Sequence, residues 1–190
     1  MANMEKTKIS NDVSWQMPVV LIGTVIDGIP NFSAVAWITR LASEPPMIGF
    51  TIDIVHHSAK GIFQNKTFSV NFPPASLVEK VDFCGLYSGD KTNKSNIFNV
   101  YFGKNPKAPL IEECPLVMEC EVVETNDING DLFVRAEIKE TYANNNMLKG
   151  NKIDFLKVDP IIYIDKKYYK TGSFIGQAWS IGKKIKEDTE

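Results

Sequence analysis

The sequence predicts a mainly β domain of the α+β class, a barrel or sandwich with a few peripheral helices. Three observations predict it. Apolar and polar residues alternate with a period of two in several segments, as half-buried strands require. Asp-Gly and Asn-Gly pairs follow apolar runs, where a two-residue hairpin turn needs positive φ at both centres. The strand–helix rhythm of a doubly wound parallel sheet is absent.

The elements follow in order. Residues 19–26 are nearly continuous in apolar side chains, which suits a strand covered on both faces. Asp27-Gly28 turns the chain after it. Ile48, Phe50, Ile52 and Ile54 share one face of the next clear strand, opposite Met47, Gly49, Thr51 and Asp53. Residues 58–65 place Ala59, Ile62 and Phe63 at i, i+3 and i+4, a short amphipathic helix. Phe68, Val70 and Phe72 alternate with Thr67, Ser69 and Asn71. Ser76 with Glu79 matches a capping box ahead of a helix carrying Leu77, Val78, Val81 and Cys84 on one side. Leu116, Met118, Cys120 and Val122 alternate with Glu119 and Glu121, and Leu132, Val134, Ala136 and Ile138 with Arg135 and Glu137. Asn129-Gly130 joins these two runs as a hairpin. Asp127, Asn129 and Asp131 imitate a calcium loop, but the glycine offset and closing glutamate are missing. Residues 161–164 form another short strand, and 178–186 a polar, lysine-rich C-terminal helix. One domain is expected over 17–177, between a polar extension at 1–16 and a tail at 178–190.

Composition removes many functions. The chain has 190 residues, 44% hydrophobic and 23% charged, with a net charge of −2. Disorder needs lower hydrophobicity and higher net charge. A nucleic-acid binder would carry a basic excess. No apolar run approaches the ~18 residues of a membrane span, and no signal peptide is visible. A soluble, cytoplasmic protein is expected, with neither nucleic acid nor membrane as partner. The two histidines are adjacent, and the three cysteines lie apart without a C-x-x-C pair. That leaves little material for zinc or for a nucleophilic triad. Neither G-x-G-x-x-G nor a Walker A loop occurs.

Three stretches stand out. His56-His57-Ser58-Ala59-Lys60 opens a helix directly after a strand, where free N–H groups and the dipole receive anions; the same residues also suit an ordinary capped helix start. Asn31-Phe32-Ser33-Ala34-Val35-Ala36-Trp37 sets small residues beside a Trp. It reads either as a surface for a flat ligand or as a tightly packed strand. Tyr87-Ser88-Gly89-Asp90-Lys91 could wrap an anion or be a solvated loop. It belongs to the polar connection at 85–109, whose length favours a functional role.

In order and spacing, these stretches resemble the flavin reductase-like family with the FMN-binding split barrel, in its flavoredoxin branch. The other pieces are Met17-Pro18-Val19-Val20-Leu21-Ile22, Pro45-Pro46, Ile62, Phe68-Ser69-Val70-Asn71, Cys84-Gly85 and the Tyr-and-Gly region up to 172–176. The resemblance implies noncovalent FMN and a homodimer with flavin near the subunit interface. It implies that Asn31, Ser33, Ala34, Ala36 and Trp37 line the ring and ribityl chain. His57, Ser58 and Lys60 would lie around the phosphate or ribityl chain, Asn71 would border the pocket, and Lys91 would be a long-range phosphate partner. No catalytic residue and no metal are implied, because flavin carries the redox chemistry itself. Family reductases often carry Thr-Ala-Ser near positions 31–33, where this chain has Asn31-Phe32-Ser33. Two roles stay open: an NAD(P)H-dependent oxidoreductase, or an electron carrier docking to a redox protein. A split barrel holding pyridoxal phosphate or haem is a third, with His56 or His57 as the available axial ligands.

Overall fold

A computed structural model describes residues 5–183 and 185. The first strands are β1 (Met17–Pro18), β2 (Val20–Ile26), β3 (Ile29–Val35), β4 (Ile38–Ser43) and β5 (Pro46–Asp53). Helix α1 (His57–Asn65) leads to β6 (Thr67–Phe72), and a 3₁₀ turn at Ala75–Leu77 leads into α2 (Val78–Leu86). After a second 3₁₀ turn, Lys94–Ile97, come β7 (Val100–Phe102), β8 (Pro109–Ile111), β9 (Leu116–Ile128) and β10 (Asp131–Ala143). The chain closes with β11 (Leu148–Lys149), β12 (Lys152–Ile153), α3 (Phe155–Val158), β13 (Ile161–Ile164) and β14 (Lys167–Lys170).

Seven strands form one antiparallel sheet in the order β3-β2-β6-β9-β10-β5-β4. The expected hairpins hold. Asp27 and Gly28 have φ of 51° and 82°, and Ile26 pairs with Ile29 across them. Asn129 and Gly130 have φ of 54° and 94°, and Ile128 pairs with Asp131. The strands do not close into a ring among the described residues, so β3 and β4 are the free edges. Ala36 and Trp37 carry the chain from one edge to the other, and Thr51 of β5 donates its N–H to the Trp37 carbonyl at 3.1 Å. The barrel is therefore split rather than closed.

The sheet is apolar on both faces where it matters. Val20 and Ile22 of β2 join Phe50, Phe68, Val70 and Val134 in one core, which Ala59 and Ile62 of α1 complete. Leu21 faces the other way and joins Phe32, Val81, Leu110, Val117 and Ile161 in a second core. Two-sided burial explains the continuous apolar run of β2, every residue of which is buried. Helix α1 lies close on β2 because residue 61 is glycine: a Cβ there would stand 2.7 Å from the Thr24 Cβ. Asn65 fixes the other end by donating to the Val25 carbonyl at 2.6 Å.

Some expectations change. Ser76 lies inside the 3₁₀ turn, and α2 starts after Leu77 with no side-chain cap, so the capping box is not formed. The stretch from Asn31 is a strand up to Val35, as one of its two readings expected. Of the expected C-terminal helix, residues 178–182 form turns, Lys183 and Ile185 are helical, and the rest lies outside the described residues.

Phe68 is fully buried, with its ring edge-to-face on Phe50 at 5.1 Å. Phe68→Ala is expected to lower stability by about 3–5 kcal/mol, read as a fall in the urea midpoint. A loss under about 1 kcal/mol would show that this face is not a packed core.

Candidate functional site

The site is built where the edge strand β3 meets the start of α1. Asn31 and Ser33 are two apart on β3, so their side chains project from the same face. The turn after β5 delivers α1 onto that face, with His56 donating its N–H to the Asp53 carbonyl at 3.0 Å. Ser58 is fully buried in the first turn of α1. Its Oγ accepts from Asn31 Nδ2 at 2.6 Å and shares a second hydrogen bond with Ser33 Oγ, also at 2.6 Å. Ser58 therefore does not cap the helix. His56 is the cap residue, without a side-chain hydrogen bond, and the Ser58 hydroxyl fastens the helix to the strand.

The segment after α2 packs over this junction. Ser88 accepts from the N–H groups of Lys91 and Thr92 at 3.2 and 3.1 Å, which tightens the turn. Gly89 sits directly on Asn31: a Cβ would overlap Asn31 Oδ1 and stand 2.9 Å from His57 Cδ2. Asn93 then caps the following 3₁₀ turn, its Oδ1 accepting from Ser95 N at 3.0 Å. That turn inserts Lys94, which is 3% exposed. Its ammonium donates to the Cys84 carbonyl at 3.1 Å, which uses one of three donors. Burial pulls the Lys94 pKa down from its ordinary value. Two more buried polar atoms, Asn31 Oδ1 and His57 Nδ1, have no hydrogen-bond partner among the described residues.

These groups border a two-part cleft. One part, of about 380 Å³, is lined by residues including Asn31, His57, Gly89, Lys91 and Lys94. The other, of about 130 Å³, is lined by residues including Ser33, Ala34, His57, Cys84, Gly89 and Lys94. His57, Gly89 and Lys94 belong to both, so they form the shared wall. Because β3 is a sheet edge, its outward row of backbone N–H and C=O groups is not used by the sheet. Burial pushes the Cys84 thiol up to about 11, so it stays protonated and unreactive at neutral pH.

The remaining expected residues fall elsewhere. Ala36 and Trp37 line a separate, larger cavity with residues 11–18. Lys60 is exposed on α1 and lines none of these three cavities. Asn71 is fully buried in β6 and also lines none of them. Its amide donates to the Leu21 carbonyl at 3.1 Å and to Ser69 Oγ at 2.9 Å, and accepts from Ile111 N at 2.9 Å. Asn71 thus ties strands together through both amide hydrogens and its oxygen. Lys94 is the residue that sequence reasoning missed. Its signal was weak: a lysine five residues beyond Gly89, in a polar stretch where Lys91 looked equally placed.

Residues 14–172 match the family described as Flavin reductase like domain. An uncharacterized protein of Pyrococcus abyssi is 30% identical over 114 residues, which is 59% of this chain. The match spans 66% of that relative's length, just under two thirds. Among solved structures, flavoredoxin from Methanosarcina acetivorans is 39% identical with a TM-score of 0.93, covering 96% of this chain and 100% of that one. Flavoredoxin of Desulfovibrio vulgaris (Miyazaki F) is 26% identical with a TM-score of 0.86, covering 94% and 100%.

Burial first, and then the charge of Lys60, hold the His57 pKa below its ordinary 6.5. The unfolded chain therefore takes up this proton first, and His57 destabilises the fold as pH drops from about 6.5 through the lower folded value. An NMR titration of the His57 ring is expected to show a midpoint below 6.5, raised by Lys60→Ala. A midpoint above 6.5 would contradict the buried setting.

Proposed function

The chain belongs to the flavin reductase-like family, and from that premise we propose that it is a flavoprotein that holds FMN in the cleft between β3, α1 and residues 84–94. Electrons then pass through the FMN from NAD(P)H, or from a redox protein, to an acceptor. The observation that carries this reading is the buried Lys94 ammonium, which has one neutral protein partner. Burying an ammonium with donors to spare is costly unless an anion arrives. Asn31 Oδ1 and His57 Nδ1 face the same need for a partner.

FMN suits this set of groups. Its phosphate would supply the anion for Lys94, with Lys91 and His57 at the start of α1 on the same wall. Its ribityl hydroxyls can donate to Asn31 Oδ1 and exchange hydrogen bonds with His57. Its flat ring needs small neighbours, and Ser33 and Ala34 on the β3 edge provide them, with Ala36 and Trp37 beyond. A terminal phosphate monoester suits a cationic wall better than the internal diphosphate of FAD, whose adenosine would need a further pocket. Ser58 acts indirectly by holding Asn31 and Ser33 in place, and Lys60 adds only a screened surface charge.

FMN supplies one- and two-electron redox chemistry when bound. The chain's part is to bind, orient and tune. Backbone N–H groups on the outward edge of β3 favour negative charge where the ring becomes electron-rich on reduction. The rim of the cleft is apolar and exposed: Leu86 and Tyr87 are 69% and 51% exposed. A second copy covering this rim would exclude water from the flavin, which supports a homodimer with the cofactor near its interface.

The purified protein is expected to be yellow and to release FMN, not FAD, on heating. Lys94→Met should weaken FMN binding about tenfold or more, the worth of a charge-assisted hydrogen bond. Lys91→Ala should cost less, because Lys91 is exposed. A colourless protein that takes up no added FMN would overturn the reading. In stopped flow, bleaching by NADH or NADPH within the turnover time supports the oxidoreductase, and inertness supports the carrier.

A further inference from the structure

Lys80 and Cys84 lie one turn apart on α2, and between them they hold both ends of the short turn that carries Lys94. At one end the Lys94 ammonium donates to the Cys84 carbonyl at 3.1 Å. At the other end the Lys80 ammonium donates to the Ile97 carbonyl at 2.5 Å. We infer that Lys80 and Glu113 are positioning residues for the anion site: together they clamp residues 97–99 and so set the Lys94 ammonium at the wall of the cleft. The role rests on the flavin reading above, which makes the FMN phosphate the partner of Lys94; the clamp itself does not.

The pair grips the chain on both sides of Phe98. Lys80 holds the carbonyl of Ile97 and pairs with Glu113 Oε1 at 3.3 Å. The Glu113 carboxylate accepts from the Asn99 N–H, at 3.1 Å to Oε2 and 3.3 Å to Oε1. The Phe98 ring between these grips is buried, with the Lys80 ammonium 5.2 Å from its centroid, within cation–π range. That ring packs edge-to-face on Phe32 at 5.4 Å. Phe32 sits on β3 between Asn31 and Ser33, so the clamped segment is tied directly to the strand that lines the cleft. The 3₁₀ turn itself has four residues and little stability of its own. Its depth, and with it the depth of Lys94, is set by these outside contacts. Neither Lys80 nor Glu113 lines the cleft, so both act through Lys94. Charge alone predicts opposite effects for the two residues: loss of the Lys80 charge would weaken an anion's binding, and loss of the Glu113 charge would tighten it. The clamp predicts weakening from both.

Fluorescence titration of the full chain, freed of FMN, with added FMN tests the inference. Lys80→Met and Glu113→Gln are each expected to weaken FMN binding by about threefold to tenfold. Lys80→Arg, which keeps the donor and the charge, should recover most of the loss. In a Lys94→Met background neither change should matter, because the group they position is gone. Amide hydrogen exchange at Phe98 and Asn99, measured without FMN, should quicken in Lys80→Met and Glu113→Gln, with the urea midpoint reporting an intact fold. Unchanged binding in Lys80→Met, tighter binding in Glu113→Gln, or an equal loss in the Lys94→Met background would overturn the inference and leave the flavin reading standing. Unchanged exchange at Phe98 and Asn99 would overturn the clamp. An unaltered chain that takes up no FMN would overturn the flavin reading, and the exchange rates would then decide the clamp by themselves.

Discussion

The hydroxyl of Ser58 holds the start of α1 against the edge strand β3, and the cleft depends on that one fastening. A helix arriving after a β-strand could meet the sheet at several angles. Two hydrogen bonds of 2.6 Å, to Asn31 and Ser33, select one. Once they are made, His57 is turned to the cleft, and Asn31 keeps one oxygen free for another partner. Gly61 and Asn65 reinforce the same placement further along the helix, through close approach to Thr24 and a hydrogen bond to the Val25 carbonyl.

The second constraint is the absence of a side chain at Gly89. The loop must pass directly over Asn31 and His57 to bring Lys94 into the protein. Any Cβ there would lift the loop, and the ammonium would move toward water. The burial of Lys94 thus rests on this close backbone approach. The low exposure of Lys94 leaves its charge less screened than that of Lys60 or Lys91.

The split sheet gives the site both of its walls. A closed barrel would have paired the outer edge of β3 and consumed its backbone groups. Here β3 stays an edge, and the short link through Ala36 and Trp37 crosses to β4 on the far side. One face of this crossing is charged and polar, and the other is aromatic and nearly free of charge. The two environments lie a few residues apart on one continuous segment.

Much of the fold was legible in the chain. The period-two alternation marked β5, β6, β9 and β10, and the Asp-Gly and Asn-Gly pairs marked both hairpins, because these signals depend only on local geometry. The stretch from Asn31 to Trp37 and the His57–Ser58 pair were legible as unusual, because small and polar residues interrupt an apolar context. Their partners were not. Ser76 looked like a cap, since short-range spacing cannot say where a helix will begin. Lys94 looked like any lysine in a polar loop. Only the packing of residues 84–94 over β3 decided that this lysine is buried and Lys91 exposed. By itself the sequence determined several of the strands and the turns after them. Tertiary structure decided which edge stays open and which charge goes inside, because burial belongs to surfaces meeting across the chain and not to any one segment of it.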